Sequence, residues 1–235
     1  MSMHDHGDHD HDHDHPHDHA HGHGHTHDPG PPQRDHDAAE MSAYEVLETA
    51  VRTLLVEKGV VTNDEIAAQI DLMDSRTPAL GAKVVARAWS DPAFKQHLME
   101  DTRAALLEMG IDIGTLADFR TVENSPTTHN VVVCTLCSCY PKMLLGIPPA
   151  WYKSMAYRSR LVSDPRGVLA EFGVRVKDGA DVRVHDSTAD LRYLVLPMRP
   201  AGTEEWSETQ LAEIVTRDSM IGAAVLDGFK HRATG

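Results

Sequence analysis

Three cysteines lie within six residues of one another, and they are the only cysteines in the 235-residue chain. They occur in the segment Cys134-Thr135-Leu136-Cys137-Ser138-Cys139, directly after the apolar run Val131 to Val133. Disulfide-stapled secreted domains instead carry an even number of dispersed cysteines. The cluster is therefore typical of metal ligands or reactive thiols, which a strand delivers into a tight turn.

The spacing Cys-x-x-Cys-x-Cys allows three thiolates to converge on one ion if the backbone coils around it. At this short range two intervening amide nitrogens could also ligate the ion if deprotonated, which favours a strongly Lewis-acidic transition metal with an open position. Zinc is one alternative, but a structural zinc site needs four ligands, and His129 is the nearby candidate. A thioredoxin-like dithiol is another, although that motif begins a helix and Leu136 and Pro141 predict a loop.

The charge and hydropathy of the chain limit its partners. The formal net charge is -14, and no stretch is rich in Lys or Arg, which argues against nucleic acid and anionic membranes. No apolar run approaches the roughly 20 residues that span a bilayer, and the N-terminus does not resemble a secretory signal. We expect a soluble, cytoplasmic protein.

Residues 1–36 alternate His with Asp or Gly and hold 13 of the 17 histidines. Because this segment has few apolar side chains to offset the entropy of ordering, we expect residues 1–40 to form a disordered tail. Neutral imidazoles bind divalent metals, so a metal-acquisition role and a merely solubilising role are both open.

Helical periodicity begins at Ser42. Capping boxes are predicted at Ser42 with Glu45 and at Thr62 with Glu65. The predicted helices run from Ser42 to a stop at Gly59, from Thr62 past Ile70, through Val84 to Trp89, and from Pro92 to just before Gly110. With apolar stripes and no obvious sheet to cover, such an arm would suit clasping a partner subunit.

After residue 118 the pattern favours strands. We predict strands over Phe119–Val122, Val131–Val133, Val182–Val184 and Leu191–Leu196. Further helices are predicted over Trp151–Leu161, from Asp164-Pro165 to Gly173, and from Ser207 with Gln210 completing a capping box. The fold class is α+β, an N-terminal helical arm plus a layered α/β/β/α-like globular domain. The predicted divisions are a tail at 1–40, an arm at 41–110 and a metal-binding catalytic domain at 111–235.

The segment Cys-Thr-Leu-Cys-Ser-Cys-Tyr-Pro at 134–141 resembles the metal signature of nitrile hydratase α subunits, a motif of high specificity. The resemblance covers nearly everything after the tail. It extends through Leu145–Pro149, Trp151–Ser154, Tyr157–Arg160, Val184–Thr188, Leu196–Thr203 and Thr216–Asp218.

The resemblance implies a ligand set. The thiolates of Cys134, Cys137 and Cys139 and the main-chain nitrogens of Ser138 and Cys139 would hold one metal ion with a sixth position open. Thr135 stands where iron members have Ser, which implies one Co(III) per subunit rather than iron. Family members oxidise Cys137 to sulfinic acid and Cys139 to sulfenic acid, and arginines of a β subunit pair with these groups.

The reaction implied is that of a hydro-lyase, which hydrates a nitrile to the corresponding amide at the Co(III) centre. Cys139, Cys137 and Ser138 form the catalytic centre, and the nucleophile is either the Cys139 sulfenate oxygen or an activated hydroxide. The implied partners are a β subunit, in a heterodimer or heterotetramer, a metal-insertion activator protein and a small-molecule nitrile.

The chain departs from the cobalt pattern beside the motif. Most cobalt members have Trp-Pro where this chain has Lys142-Met143, and their upstream Gln-Gly-Glu segment is replaced by 115–117. Lys142 and Thr135 are the candidate substrate-pocket residues. Thiocyanate hydrolase, a sister enzyme that yields carbonyl sulfide and ammonia, is similar in having a basic residue after Tyr-Pro. A solvated Lys142, a bulky polar nitrile and a non-enzymatic cobalt or nickel carrier are further alternatives.

Two other groups could be mistaken for sites. His185 and Asp186 lie in or after a predicted strand and resemble a dyad, but we interpret them as a structural turn. Tyr157, Arg158 and Arg160 could face a partner subunit, although solvated or locally paired side chains are the commoner case on a helix surface.

Overall fold

A computed structural model describes residues 42–137 and 139–226. The tail predicted at 1–40 and the proposed ligand Ser138 lie outside the described residues. The helices are α1 (Ala43–Glu57), α2 (Asn63–Asp74), α3 (Pro78–Ser90), α4 (Pro92–Glu100), α5 (Thr102–Glu108), α6 (Lys142–Leu145), α7 (Ala150–Lys153), α8 (Met155–Arg160), α9 (Pro165–Glu171) and α10 (Glu208–Ile214). The strands are β1 (Asp118–Glu123), β2 (Thr128–Val133), β3 (Asp181–Asp186) and β4 (Leu191–Leu196), and a 3-10 helix covers Ser219–Ile221.

The chain divides into two units between Thr53 and Leu54, inside α1. The described part of the first unit is the beginning of α1, and all other elements belong to the second unit. None of the described helices is long and apolar enough to cross a membrane.

Capping residues decide where the helices begin. The three predicted capping boxes are confirmed, at Ser42 with Glu45, Thr62 with Glu65, and Ser207 with Gln210. The prediction of one helix over 92–109 is wrong, because the Asp101 carboxylate accepts a hydrogen bond from a first-turn amide and starts α5. The prediction of one helix over 151–161 is wrong for the same reason, since the Ser154 hydroxyl caps α8. Asp and Ser favour such positions because their side chains satisfy free amides of a new first turn.

All four predicted strands are confirmed, and so is the mixed α+β class. The strands form two parallel pairs, β1 with β4 and β2 with β3. The register of the second pair sets Val133 beside Asp186, so both strands end at the same edge. The cysteine segment therefore starts beside the last residue of β3.

Strand β2 is buried in the core and anchors the segment that follows it. From His129 to Val133 every residue of β2 is buried, as expected for a strand with apolar residues on both faces. Its valines share one core cluster with apolar residues of α3, α4 and α5. The start of the cysteine segment is consequently anchored in the core.

We expect Gly222→Ala to lower the free energy of unfolding by more than about 2 kcal/mol. Gly222 has a φ of +82°, and an added Cβ would collide with the Asn130 carbonyl oxygen on β2. The matched control is Gly202→Ala, because Gly202 has a φ of +84° but no atom within 4 Å of its Cβ position. Denaturant unfolding measures both variants. Equal losses would show that the contact with β2 contributes nothing.

Candidate metal centre

The three cysteine sulfurs meet in the loop between β2 and α6. The Sγ atoms of Cys134 and Cys137 are 3.3 Å apart, and those of Cys137 and Cys139 are 3.0 Å apart. All three lie within 4.8 Å of one another. Cys134 is buried, Cys139 is half-buried and Cys137 is exposed. The structure thus places the three sulfur ligands proposed from the sequence close to one another.

The donor set fits a soft or borderline transition metal. Sulfur ligands select such ions over the oxygen-preferring Mg²⁺ and Ca²⁺. Within residues 42–137 and 139–226, these cysteines are the one group of three or more His, Cys, Asp or Glu placed to hold an ion. Burial, together with the neighbouring Cys137 and Cys134 thiols, raises the pKa of the Cys139 thiol to about 12. A highly charged cation would offset this cost of deprotonation.

The zinc and dithiol alternatives lose support. Through Nε2, His129 interacts with the Gly222 carbonyl oxygen at 2.8 Å, and burial lowers its pKa. It is not part of the cysteine group, which has no fourth Cys or His among the described residues. No helix begins at Cys134, as a thioredoxin-like dithiol would require, and the predicted loop is present in the described part of the segment.

A carboxylate on β3 holds the loop at its first turn. Asp186 accepts a hydrogen bond from the Thr135 amide at 2.9 Å and another from the Thr135 hydroxyl at 2.6 Å. The interpretation of His185 and Asp186 as a structural turn is therefore wrong, because both belong to β3 and Asp186 fixes the cysteine loop. The His185 imidazole instead contacts the Asn130 side chain at 2.8 Å.

An arginine on α8 holds the same part of the loop. Arg158 donates from Nε to the Cys134 carbonyl oxygen at 3.0 Å and from Nη2 to the Thr135 carbonyl oxygen at 2.8 Å. Its neighbour Tyr157 is buried and donates to the Val132 carbonyl oxygen at 2.7 Å. The prediction of a solvated or locally paired side chain is confirmed for Arg160, which pairs with Glu171. It is wrong for Tyr157 and Arg158.

The C-terminal end of the cysteine loop contacts buried tyrosines. The Tyr152 hydroxyl donates to the Cys139 carbonyl oxygen at 2.8 Å. The Tyr140 and Tyr152 rings pack edge to face with centroids 5.0 Å apart. Burial raises the pKa of both phenols, so they stay neutral and Tyr152 remains a hydrogen-bond donor at any physiological pH.

Besides Arg158, one cation acts on the cluster through its charge and another follows the cluster closely in sequence. The positive charge of Arg192, on β4, opposes the rise in the pKa of Cys139. Arg192 could not be predicted as a neighbour of the cysteines, because nothing in the sequence places β4 beside the loop. The second cation, Lys142, is exposed at the start of α6, and its ammonium group makes no hydrogen bond or ion pair to the described part of the chain.

A buried strand that ends in three converging thiols, with a carboxylate and a guanidinium holding the loop, defines a metal-binding protein with a mixed α+β fold. The sequence profile of the family described as "Nitrile hydratase, alpha chain" matches residues 42–224. The chain belongs to this family.

Curated relatives divide between two enzyme names. The chain is 52% identical over 177 residues to the low-molecular weight cobalt-containing nitrile hydratase subunit alpha of Rhodococcus rhodochrous, covering 75% of this chain and 86% of that one. It is 46% identical over 197 residues to the thiocyanate hydrolase subunit gamma of Thiobacillus thioparus, covering 79% and 81%.

Similar solved structures are likewise divided between nitrile hydratase and thiocyanate hydrolase. A double mutant of the Fe-type nitrile hydratase from Comamonas testosteroni superposes with a TM-score of 0.76 at 39% identity, over 84% of this chain and 98% of that one. A recombinant thiocyanate hydrolase with partially modified cobalt centres superposes with a TM-score of 0.76 at 42% identity, over 83% and 98%. Both cobalt and iron therefore occur among the names of similar proteins.

Proposed function

We propose that this chain is the α subunit of a cobalt nitrile hydratase, which hydrates a nitrile to the corresponding amide. The observation that carries the proposal is the convergence of the Cys134, Cys137 and Cys139 sulfurs in a chain of this family. A cobalt-containing relative at 52% identity supports cobalt over iron.

The proposed ligands are the three thiolates and the main-chain nitrogens of Ser138 and Cys139. When bound, Co(III) supplies a Lewis-acidic centre that polarises the nitrile. Exposure supports the proposed oxidation pattern, because an oxidant reaches the exposed Cys137 and the half-buried Cys139 more readily than the buried Cys134.

The chain's own residues position this centre. Asp186 and Arg158 bind the backbone of the first turn from two different elements, which keeps the Cys134 and Cys137 sulfurs close. The Arg192 charge would pair with an oxidised, anionic Cys139 in addition to arginines of a partner subunit. Held in this way, a sulfenate oxygen on Cys139, or an activated hydroxide, would be positioned to attack the nitrile carbon.

We expect Arg158→Lys to reduce the cobalt bound per chain about tenfold at limiting cobalt, in the range usual for groups that orient metal ligands. A lysine ammonium cannot reproduce the two-point donation of a guanidinium to the Cys134 and Thr135 carbonyl oxygens. Arg160→Lys is the control, because Arg160 lies on the same helix and pairs with Glu171. Elemental analysis of purified protein measures both. A normal cobalt content in Arg158→Lys would contradict the assignment.

Product analysis tests the proposed reaction. The chain is co-expressed with its partner subunit genes in cobalt medium, and the purified complex receives acrylonitrile or thiocyanate in separate reactions. Amide from acrylonitrile alone supports the proposal. Carbonyl sulfide and ammonia from thiocyanate overturn it in favour of thiocyanate hydrolase, and inertness toward both points to a bulkier nitrile or to a carrier.

Thiocyanate hydrolase is the second candidate, because Lys142 is an exposed cation three residues after Cys139. If the substrate is anionic, we expect Lys142→Met to lower kcat/KM for thiocyanate about tenfold or more through loss of a charge-assisted contact. Lys153→Met is the control, since Lys153 is also exposed but lies on α7. An unchanged kcat/KM in Lys142→Met would remove Lys142 from the substrate pocket.

We further infer a β subunit as partner, in a heterodimer or heterotetramer, and an activator that inserts the metal. An apolar cleft of about 440 Å³ on α2, lined by Val61, Ile66, Ile70 and Met73, supports a protein contact on the predicted arm. The division into an arm at 41–110 and a catalytic domain at 111–235, and the cytoplasmic location, remain predictions.

A further inference from the structure

A cleft of about 770 Å³ opens at the start of strand β2, at the opposite end of this strand from the cysteine loop. It is lined by Thr128 and His129, the first two residues of β2, and by parts of the segments 173–180, 197–201 and 224–226. Its volume falls within the roughly 300 to 1,000 Å³ that is usual for small-molecule sites. The proposed nitrile reaction uses none of these residues, so the cleft is a separate feature of the second unit.

The cleft is cationic, although the chain as a whole is strongly acidic. The described residues that line it include Arg175, Lys177 and Arg199 but no aspartate or glutamate. The side chains of Arg175 and Lys177 make no hydrogen bond or ion pair to the described part of the chain. In a chain with a formal net charge of -14, this local excess of positive charge favours an anionic ligand.

The guanidinium group of Arg199 is fixed in position but is not neutralised. It donates to the carbonyl oxygens of Trp89 and Glu204 at 3.0 Å each, and to the carbonyl and hydroxyl oxygens of Thr203. All of these acceptors are uncharged, so this half-buried cation is hydrogen-bonded to no carboxylate among the described residues. Because withdrawing an unpaired charge from water is costly, an anion bound in the cleft would be stabilised by Arg199.

A buried amide group supplies a directed hydrogen-bond donor. Asn124 lines the cleft and is only 6% exposed. Its Oδ1 accepts hydrogen bonds from the backbone and side-chain amides of Asn130, at 2.7 Å and 3.1 Å, which fixes the orientation of the Asn124 side chain. Its Nδ2 faces away from these donors and is hydrogen-bonded to no atom of the described residues. Since buried amides are normally paired, this nitrogen is available to an oxygen atom of a ligand.

The loop that carries Arg175 and Lys177 is held in place by a third arginine. Arg166, on α9, donates from Nη1 to the Val176 carbonyl oxygen at 3.3 Å and from Nη2 to the Ala180 carbonyl oxygen. The backbone of the loop is therefore ordered before any ligand binds. Such preorganisation lowers the entropy cost of binding.

We propose that this cleft binds a small amphipathic organic anion, with a carboxylate or phosphate group on an apolar body. The anionic group contacts the three cations and the Asn124 amide. The apolar body packs against the remaining wall, which includes Pro126, Val176, Pro197, Met198, Pro200 and Val225. The proposal does not rest on the nitrile reaction, because the six residues of β2 set the cleft roughly 20 Å from the cysteine loop.

Isothermal titration calorimetry of the purified complex with its partner subunit tests the site with phenyl phosphate, benzoate and benzyl alcohol. We expect one or both anions to bind at least about tenfold more tightly than benzyl alcohol, which has the ring without the charge. The more tightly bound anion identifies the charged group that the cleft prefers. Equal affinity for all three probes, or no binding of either anion, would overturn the proposal.

Two variants locate the bound anion. Asn124→Asp keeps an oxygen that accepts from Asn130 but replaces the available amide donor with a second carboxylate oxygen. We expect this variant, and the double variant Arg175→Met with Lys177→Met, each to weaken anion binding at least about tenfold. The double variant changes only exposed side chains, so it keeps the test valid if Asn124→Asp fails to fold.

Lys153→Met is the control, because Lys153 is an exposed cation on α7 that does not line the cleft. It should bind the anions as the wild type does. Wild-type affinity in the double variant would show that the anions bind elsewhere and would overturn the proposal. Failure of the proposed function is distinguishable, because it would appear as missing cobalt or missing amide and would leave these titrations unchanged.

Discussion

The Cys137→Ala variant is expected to retain less than about 1% of the wild-type cobalt and to form no detectable amide. Cys137 is the central sulfur of the cluster, with Sγ atoms at 3.3 Å and 3.0 Å on its two sides. Its removal takes away one of the three proposed thiolate ligands. Because Cys137 is exposed and no core contact is lost, stability in the absence of metal should change by less than about 0.5 kcal/mol.

Leu136→Ala provides the matched control for this substitution. Leu136 lies in the same loop, is also exposed to solvent and offers no metal ligand. Cobalt content by elemental analysis and amide formation from acrylonitrile should stay near wild-type values in this variant. Full cobalt content in Cys137→Ala, or loss of cobalt in both variants, would show that the loop holds metal in some other way.

A loss of about 10- to 100-fold in cobalt affinity is expected for Asp186→Ala, the range found when groups that orient metal ligands are removed. The Asp186 carboxylate accepts hydrogen bonds from both the amide and the hydroxyl of Thr135. Without this carboxylate, the first turn of the loop is no longer hydrogen-bonded to β3. Metal binding must then order a free loop, which costs conformational entropy. Competition with a chelator of known cobalt affinity measures the change.

Two further variants test whether the loss of cobalt affinity is specific to the Asp186 carboxylate. Asp181→Ala removes an exposed carboxylate at the other end of β3, which forms a 4.0 Å ion pair with Arg183, and should leave cobalt affinity unchanged. Thr135→Val removes the hydroxyl bond to Asp186 but keeps the amide bond, and we expect an intermediate loss. If Asp186→Ala and Asp181→Ala behave alike, Asp186 does not position the loop.

Local chemistry made much of this chain predictable. Capping boxes place the starts of α1, α2 and α10, because side-chain oxygens satisfy amides only three residues away. The valine run before Cys134 predicts a buried strand because its residues are apolar on both faces. Cysteine spacing brings three sulfurs to one point because so short a chain cannot separate them far. These features depend on neighbours in sequence.

The same local rules were ambiguous at Asp101 and Ser154. Each lies in a stretch with helical apolar spacing, which favours one continuous helix. Each also carries a side chain that can cap a new helix, and that alternative prevails where packing lets the chain bend. The periodic pattern could not show which of the two would occur.

Only the tertiary structure decided what surrounds the cysteines. Asp186 is 51 residues from Thr135, Arg158 is 24 residues from Cys134, and Arg192 is on a strand of the other sheet. Their roles follow from the parallel register of β2 with β3 and from the docking of α8, which depend on long-range packing. The sequence by itself therefore determined which atoms could bind a metal, because those donors are close along the chain. The fold determined which side chains hold them, because those contacts join distant residues.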